Sequence, residues 1–78
     1  MTQHKIRSLY VYNVDEEEYQ EKMTNQMNDN GINISEVSIE RNESNTYDYT
    51  FFLDMPEGIK EESIIKNIKY SCKIDFIR

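Results

Sequence analysis

Ile6 and the unbroken apolar run Leu9-Tyr10-Val11-Tyr12 mark residues 5–12, Lys-Ile-Arg-Ser-Leu-Tyr-Val-Tyr, as a first strand, since aromatic and β-branched side chains suit a pleated surface. A helical spacing follows. Tyr19, Met23 and Met27 recur every four residues, the spacing of one helical face. Asp15 stands where an N-cap would, with Glu18 three residues on as a capping-box partner, and Val14 and Tyr19 are spaced for a hydrophobic staple. Glu16, Glu17 and Glu18 would fall in the first turn, where the helix dipole favours negative charge. Asn30-Gly31 predicts the stop, because glycine takes the left-handed C′ conformation at no steric cost.

Residues 33–41 alternate, with Val37, Ile39 and Arg41 on one side and Ile34, Glu36, Ser38 and Glu40 on the other. Asn42-Glu43-Ser44-Asn45 is polar turn material, so this strand is expected to fold back as a hairpin into a third over 46–54. The third strand puts Tyr47, Tyr49, Phe51 and Leu53 on one face and Thr50 and Phe52 on the opposite one. Pro56 and Gly58 interrupt the chain. Ile64, Ile65 and Ile68 predict a second helix over 60–69, and 70–77 alternates Tyr70, Cys72, Ile74 and Phe76 against Ser71, Lys73 and Asp75.

A β-α-β-β-α-β order with a central hairpin predicts an α+β, ferredoxin-like sandwich. Right-handed crossovers would set both helices on one face of a four-stranded antiparallel sheet ordered 4-1-3-2. Residues 5–78 form the single expected domain, with 1–4 as an N-terminal tail. Leu9, Val11, Tyr49, Phe51 and Leu53 can fill the helix side. The other side still carries Ile6, Tyr10, Tyr12 and Phe52, joined by Ile34. A sheet covered on one side alone shows cleaner alternation, so either a partner covers this face or it carries scattered exposed aromatics.

Composition narrows the function classes. The chain has no Ala and no Trp, and ten Ile, six Tyr, four Met and three Phe supply its interior, bulky residues that suit a pleated sheet. Fifteen acidic against nine basic residues give a net charge of −6, which repels phosphate backbones and anionic lipid. No apolar run approaches the ~20 residues that span a bilayer, and no secretory leader is expected. A lone cysteine, Cys72, suits a reducing compartment.

Catalytic apparatus is not expected. Cys72 has one histidine in the chain to activate it, His4, placed at the tail, and alternation turns the thiol toward Ile74 and Phe76. No cluster of zinc ligands exists in the sequence, and successive carboxylates at 15–18 would point in different directions on a helix. Two glycines cannot build a phosphate-binding loop. The third strand has aromatics but lacks the basic-glycine start of an RNA-recognition motif. No metal or cofactor is expected.

Several phrases carry a family resemblance. Arg7-Ser8-Leu9-Tyr10-Val11-Tyr12, the Asn30-Gly31-Ile32-Asn33-Ile34 exit, Val37-Ser38-Ile39-Glu40-Arg41 and a Tyr/Phe-rich strand ending at Met55-Pro56 together resemble the soluble C-terminal domain of MgtC/SapB-type membrane proteins, an ACT-like regulatory module. The resemblance implies a non-enzymatic, cytoplasmic appendage of a membrane-embedded part, linked to magnesium homeostasis. A free-standing ACT-type sensor of an amino acid or cation is the alternative, with Asn13 and Asp15 as polar contacts in the loop after the first strand. Tyr10, Tyr12, Ile34 and Phe52 on the second sheet face, with Glu36, Ser38 and Glu40 on the edge strand, are the expected interaction surface. The membrane-embedded part or a second copy would be the partner.

Overall fold

The computed structural model describes residues 4–76. Six elements follow one another: β1 (His4–Val14), α1 (Tyr19–Asp29), β2 (Asn33–Arg41), β3 (Tyr47–Pro56), α2 (Glu61–Ile65) and β4 (Cys72–Phe76). The fold is α+β, a four-stranded sheet ordered β2-β3-β1-β4 in which every neighbouring pair is antiparallel. β1 takes in His4, expected in the tail; the remaining tail residues 1–3 and the expected strand end at Ile77 lie outside the described residues.

One face of β1 and β3 builds the core. Leu9, Val11, Phe51 and Leu53 are fully buried, joined by Met23 and Met27 of α1 and Ile64 of α2, so both helices feed one cluster. β4 adds Cys72 and Ile74 at its margin. Tyr19 anchors the aromatic end, edge-on to Tyr49 at 5.3 Å and to Tyr70 at 5.4 Å between ring centres.

Two bulges set which residues share a face. In β1 three steps from Val11 to Val14 match two steps of β3, Tyr49 to Tyr47, with Asn13 left-handed at φ 57°. The extra residue turns Val14 inward, where it is fully buried. In β2, Ile34 pairs with Leu53 and Glu36 with Phe52, leaving Ser35 as the extra residue. Simple alternation puts Ile34 beside Glu36 on the outer face; the bulge moves it to the helix side, half-buried against the core. Ile34 therefore leaves the expected interaction surface.

The hairpin between β2 and β3 closes with a left-handed Asn45 at φ 65°, Asn45 N–H donating to Asn42 O at 3.2 Å and Asn42 N–H to Thr46 O at 3.0 Å. The Asn42 side chain braces it, accepting from Ser44 N–H at 3.0 Å and the Thr46 hydroxyl at 2.8 Å. Arg41 also reaches the Asn45 side chain.

Helix ends divide into one expected and one not. At the C-terminus Gly31 is left-handed at φ 75°, and Ile32 N–H donates to Met27 O at 2.9 Å while Gly31 N–H donates to Asn28 O at 3.0 Å. This is a Schellman closure, and buried Ile32 supplies its apolar contact. At the N-terminus the capping box does not form. The chain turns through 16–18, Glu18 sits left-handed at φ 59° without a side-chain cap, and α1 begins at Tyr19. Val14 and Tyr19 are both buried, as members of the core rather than brackets around a cap. α2 is shorter than 60–69, with 66–67 continuing only as a turn.

Candidate functional site

The sheet face opposite the helices is built in rows, because residues paired across strands point the same way. Ile6 lies beside Asp54; Ser8 lies between Phe52 and Asp75, and Phe52 beside Glu36; Tyr10 lies between Thr50 and Lys73, and Thr50 beside Ser38. Glu40 pairs with Asp48 on the hairpin arm. Ile6 is 40% exposed, while Tyr10, Tyr12 and Phe52 are half-buried. Ser8 at their centre is only 1% exposed, sealed although no helix lies over it. The larger side chains around this small residue close over it.

The aromatic strip is ordered. Tyr10 and Tyr12 stack with centres 6.4 Å apart and planes 7° from parallel. Lys73 Nζ stands 5.7 Å from the Tyr10 ring centre and 3.2 Å from Asp75 Oδ2. Hydrogen bonding to Asp75 and its negative charge push the Lys73 ammonium up from its ordinary value. Glu36, Ser38 and Glu40 are exposed along the outer strand. The surface residues expected from the sequence are thus together on one face, Ile34 excepted.

Asn13 and Asp15 are not brought together. Asn13 turns to the hairpin: its N–H donates to Asp48 Oδ1 at 2.9 Å and its Oδ1 accepts from Asn42 Nδ2 at 2.9 Å. Asp15 turns the opposite way, accepting from the Tyr70 hydroxyl at 3.0 Å. Each fastens β1 to a different part of the chain.

Glu16 is the hub of that second attachment. It accepts from Lys22 Nζ at 2.6 Å and the Tyr70 hydroxyl at 2.8 Å, with Lys69 Nζ at 3.4 Å. Hydrogen bonds from Lys22 and Tyr70 hold its carboxyl down at about 2. Burial, then the carboxylates of Glu16 and Asp15, push the Tyr70 phenol well above its ordinary value. Burial and the Glu16 charge raise Tyr19 to about 12. Sequence reasoning misses this clasp, since nothing local links residues 54 positions apart.

Arg7 is the other omission. It faces the helix side, 7% exposed, and its Nε donates to Glu61 Oε1 of α2 at 2.8 Å. A polar cleft of about 270 Å³ opens here, lined by Lys5, Arg7, Glu57, Lys60 and Glu61 among others. Its signal in the sequence is a charged residue in phase with buried Leu9 and Val11. Cys72 is half-buried, and burial pushes its thiol up, away from the reactive thiolate.

Among the described residues, no three or more His, Cys, Asp or Glu side chains gather as a metal would require. No helix among them is long and apolar enough to cross a membrane. Compared with family models, curated proteins and solved structures, the chain matches none.

Proposed function

We propose that this chain is a non-enzymatic interaction domain of ferredoxin-like order whose open sheet face receives a partner surface. The observation that carries the reading is the strip of Ile6, Tyr10, Tyr12 and Phe52 on the side of the sheet that faces away from both helices. Aromatic side chains of this kind supply large contact area at small entropic cost, which suits a protein–protein surface. Under the MgtC-type resemblance, the partner is the membrane-embedded part of the same protein, and the setting is regulatory, on the cytoplasmic side.

The ligand-sensor alternative draws less support from the geometry. Asn13 and Asp15 direct their side-chain oxygens at Asn42 and Tyr70 rather than into a shared cavity. Pairing of two copies along β2 would set Glu36 and Glu40 of one near those of the other, an unfavourable meeting of like charges.

Affinity capture from the native host tests the reading, comparing wild type with Tyr10→Ser/Phe52→Ser and with Glu17→Gln/Glu21→Gln on the helix side. A specific protein retained by wild type and the helix-side variant, and lost by the face variant with its circular dichroism unchanged, is the expected result. Equal retention by all three rejects the open face as the contact.

A further inference from the structure

Resting on that reading, we infer that the occupant of the open face is a basic amphipathic helix, not a second copy of this chain. The first ground is charge. Glu36 and Glu40 run along one side of the aromatic strip, and Asp48 stands toward one end. Lys73 on β4 is paired with Asp75 at 3.2 Å, so those two add no net charge to the rim. A second copy would bring the same acidic rim, and the net charge of −6 on each chain opposes that approach. Anionic lipid and nucleic acid are repelled for the same reason. Lysine or arginine flanking an apolar stripe meets the rim with opposite sign.

The second ground is size. The strip from Ile6 to Tyr12 covers seven positions of β1, roughly 20 Å at ~3.3 Å per residue. Strands β3, β1 and β4 set its width at roughly 10 Å, from a ~4.8 Å strand spacing. A helix of about 14 residues is ~21 Å long and about 10 Å across, so one such segment covers the strip in a single layer. Sealed Ser8 leaves no central hole for a deep anchor. The contact is therefore a helix laid flat, its apolar residues at i, i+3, i+4 and i+7 resting on Tyr10, Phe52 and Ile6.

Three synthetic peptides of about 16 residues test this. One carries leucine at helical spacing with lysine elsewhere. Its twin carries glutamate for every lysine, and the third scrambles the lysine peptide so that no apolar stripe forms. Binding is followed by amide chemical shifts and by calorimetry. The lysine peptide is expected to shift the amides of Ile6, Tyr10, Thr50 and Phe52, and to bind at least about tenfold more tightly than either control. Tyr10→Ser/Phe52→Ser should weaken it by about tenfold or more.

Equal binding of the lysine and scrambled peptides, or shifts centred on Glu17 before α1 and Glu21 within it, overturns the inference by showing bulk attraction alone. Equal binding of lysine and glutamate peptides at the face overturns it while leaving the face a docking surface. A dimer in sedimentation that Tyr10→Ser/Phe52→Ser abolishes makes the second copy the occupant and overturns it too. Absence of any peptide at the face, with host capture insensitive to the same variant, removes the interaction reading as well.

Discussion

The hydroxyl of Tyr70 donates to Glu16 Oε1 at 2.8 Å, tying the approach to β4 to the turn before α1. Asp15 shares the same hydroxyl at 3.0 Å, so one phenol holds two carboxylates that would otherwise repel each other. Lys22 and Lys69 neutralise the group from the helix side. Asp15 turns to Tyr70, and α1 begins at Tyr19, four residues on, with no side-chain cap.

Removing the Tyr70 hydroxyl should therefore loosen this end of the domain. Tyr70→Phe keeps the ring beside Tyr19 and is expected to lower Tm at pH 7, with Glu16→Gln lowering it similarly. The pH dependence has a definite sign. The Glu16 carboxyl falls from 4.5 to about 2 on folding, so its contribution is complete above pH 4.5 and disappears as pH drops through about 2. The difference between wild type and Glu16→Gln should close over that window in thermal melts. A difference that persists unchanged at pH 2 contradicts the clasp.

Adjacent phenylalanines should behave differently. Phe51 is fully buried under the helices, and Phe51→Ala is expected to cost about 3–5 kcal/mol. A domain of 78 residues has a total stability of roughly 4–12 kcal/mol, so this loss leaves it marginal or unfolded. Phe52, half-buried on the open face, should cost no more than about 1–1.5 kcal/mol on truncation. Urea titration of both variants checks the pair, and equal losses would contradict the assigned faces.

Two left-handed positions give opposite expectations. Gly31 has φ 75° with nothing within 4 Å of an added Cβ, so Gly31→Ala loses about 1 kcal/mol from the backbone alone. Glu18 occupies the same region at φ 59° and makes no capping bond, so Glu18→Gly should gain a similar amount, about 1 kcal/mol. Chemical denaturation with unchanged m-values reads both.

The Arg7–Glu61 pair is unequal, with side chains 9% and 40% exposed. Glu61→Ala takes the carboxylate from a buried guanidinium, but solvent reaches the glutamate, so the expected loss is about 1–2 kcal/mol rather than the 3–5 of a fully buried pair. Arg7→Met, which removes the buried charge and keeps volume, should be less damaging than Glu61→Ala. Equilibrium unfolding of the two variants decides the order.

Much of the fold is written in local pattern. An apolar run marks β1, alternation marks the later strands, Tyr19, Met23 and Met27 mark the buried face of α1, and Asn30-Gly31 marks its end, because these signals depend on near neighbours alone. Ile34 is misplaced by the same alternation, since a single extra residue at Ser35 inverts the phase and nothing in Ile-Ser-Glu announces it. The start of α1 is misread because Asp15 and Glu18 satisfy the capping pattern while a tyrosine far along the chain claims the aspartate. For the candidate surface, Tyr10, Tyr12, Phe52, Glu36, Ser38 and Glu40 are legible from phase; the sealing of Ser8 follows from tertiary packing and is not.

The extra residue at Ser35 has a further effect, on how these molecules behave in company. β2 is nine residues long and borders the sheet, so without interruption it would offer a straight row of amides and carbonyls for a stray chain to extend into a fibril. The kink divides that row near its start, and a foreign segment that begins in step with Asn33 and Ile34 is out of step by Glu36. The kink shortens the regular edge to Glu36–Arg41, where the glutamate charges supply the remaining resistance to a stray strand.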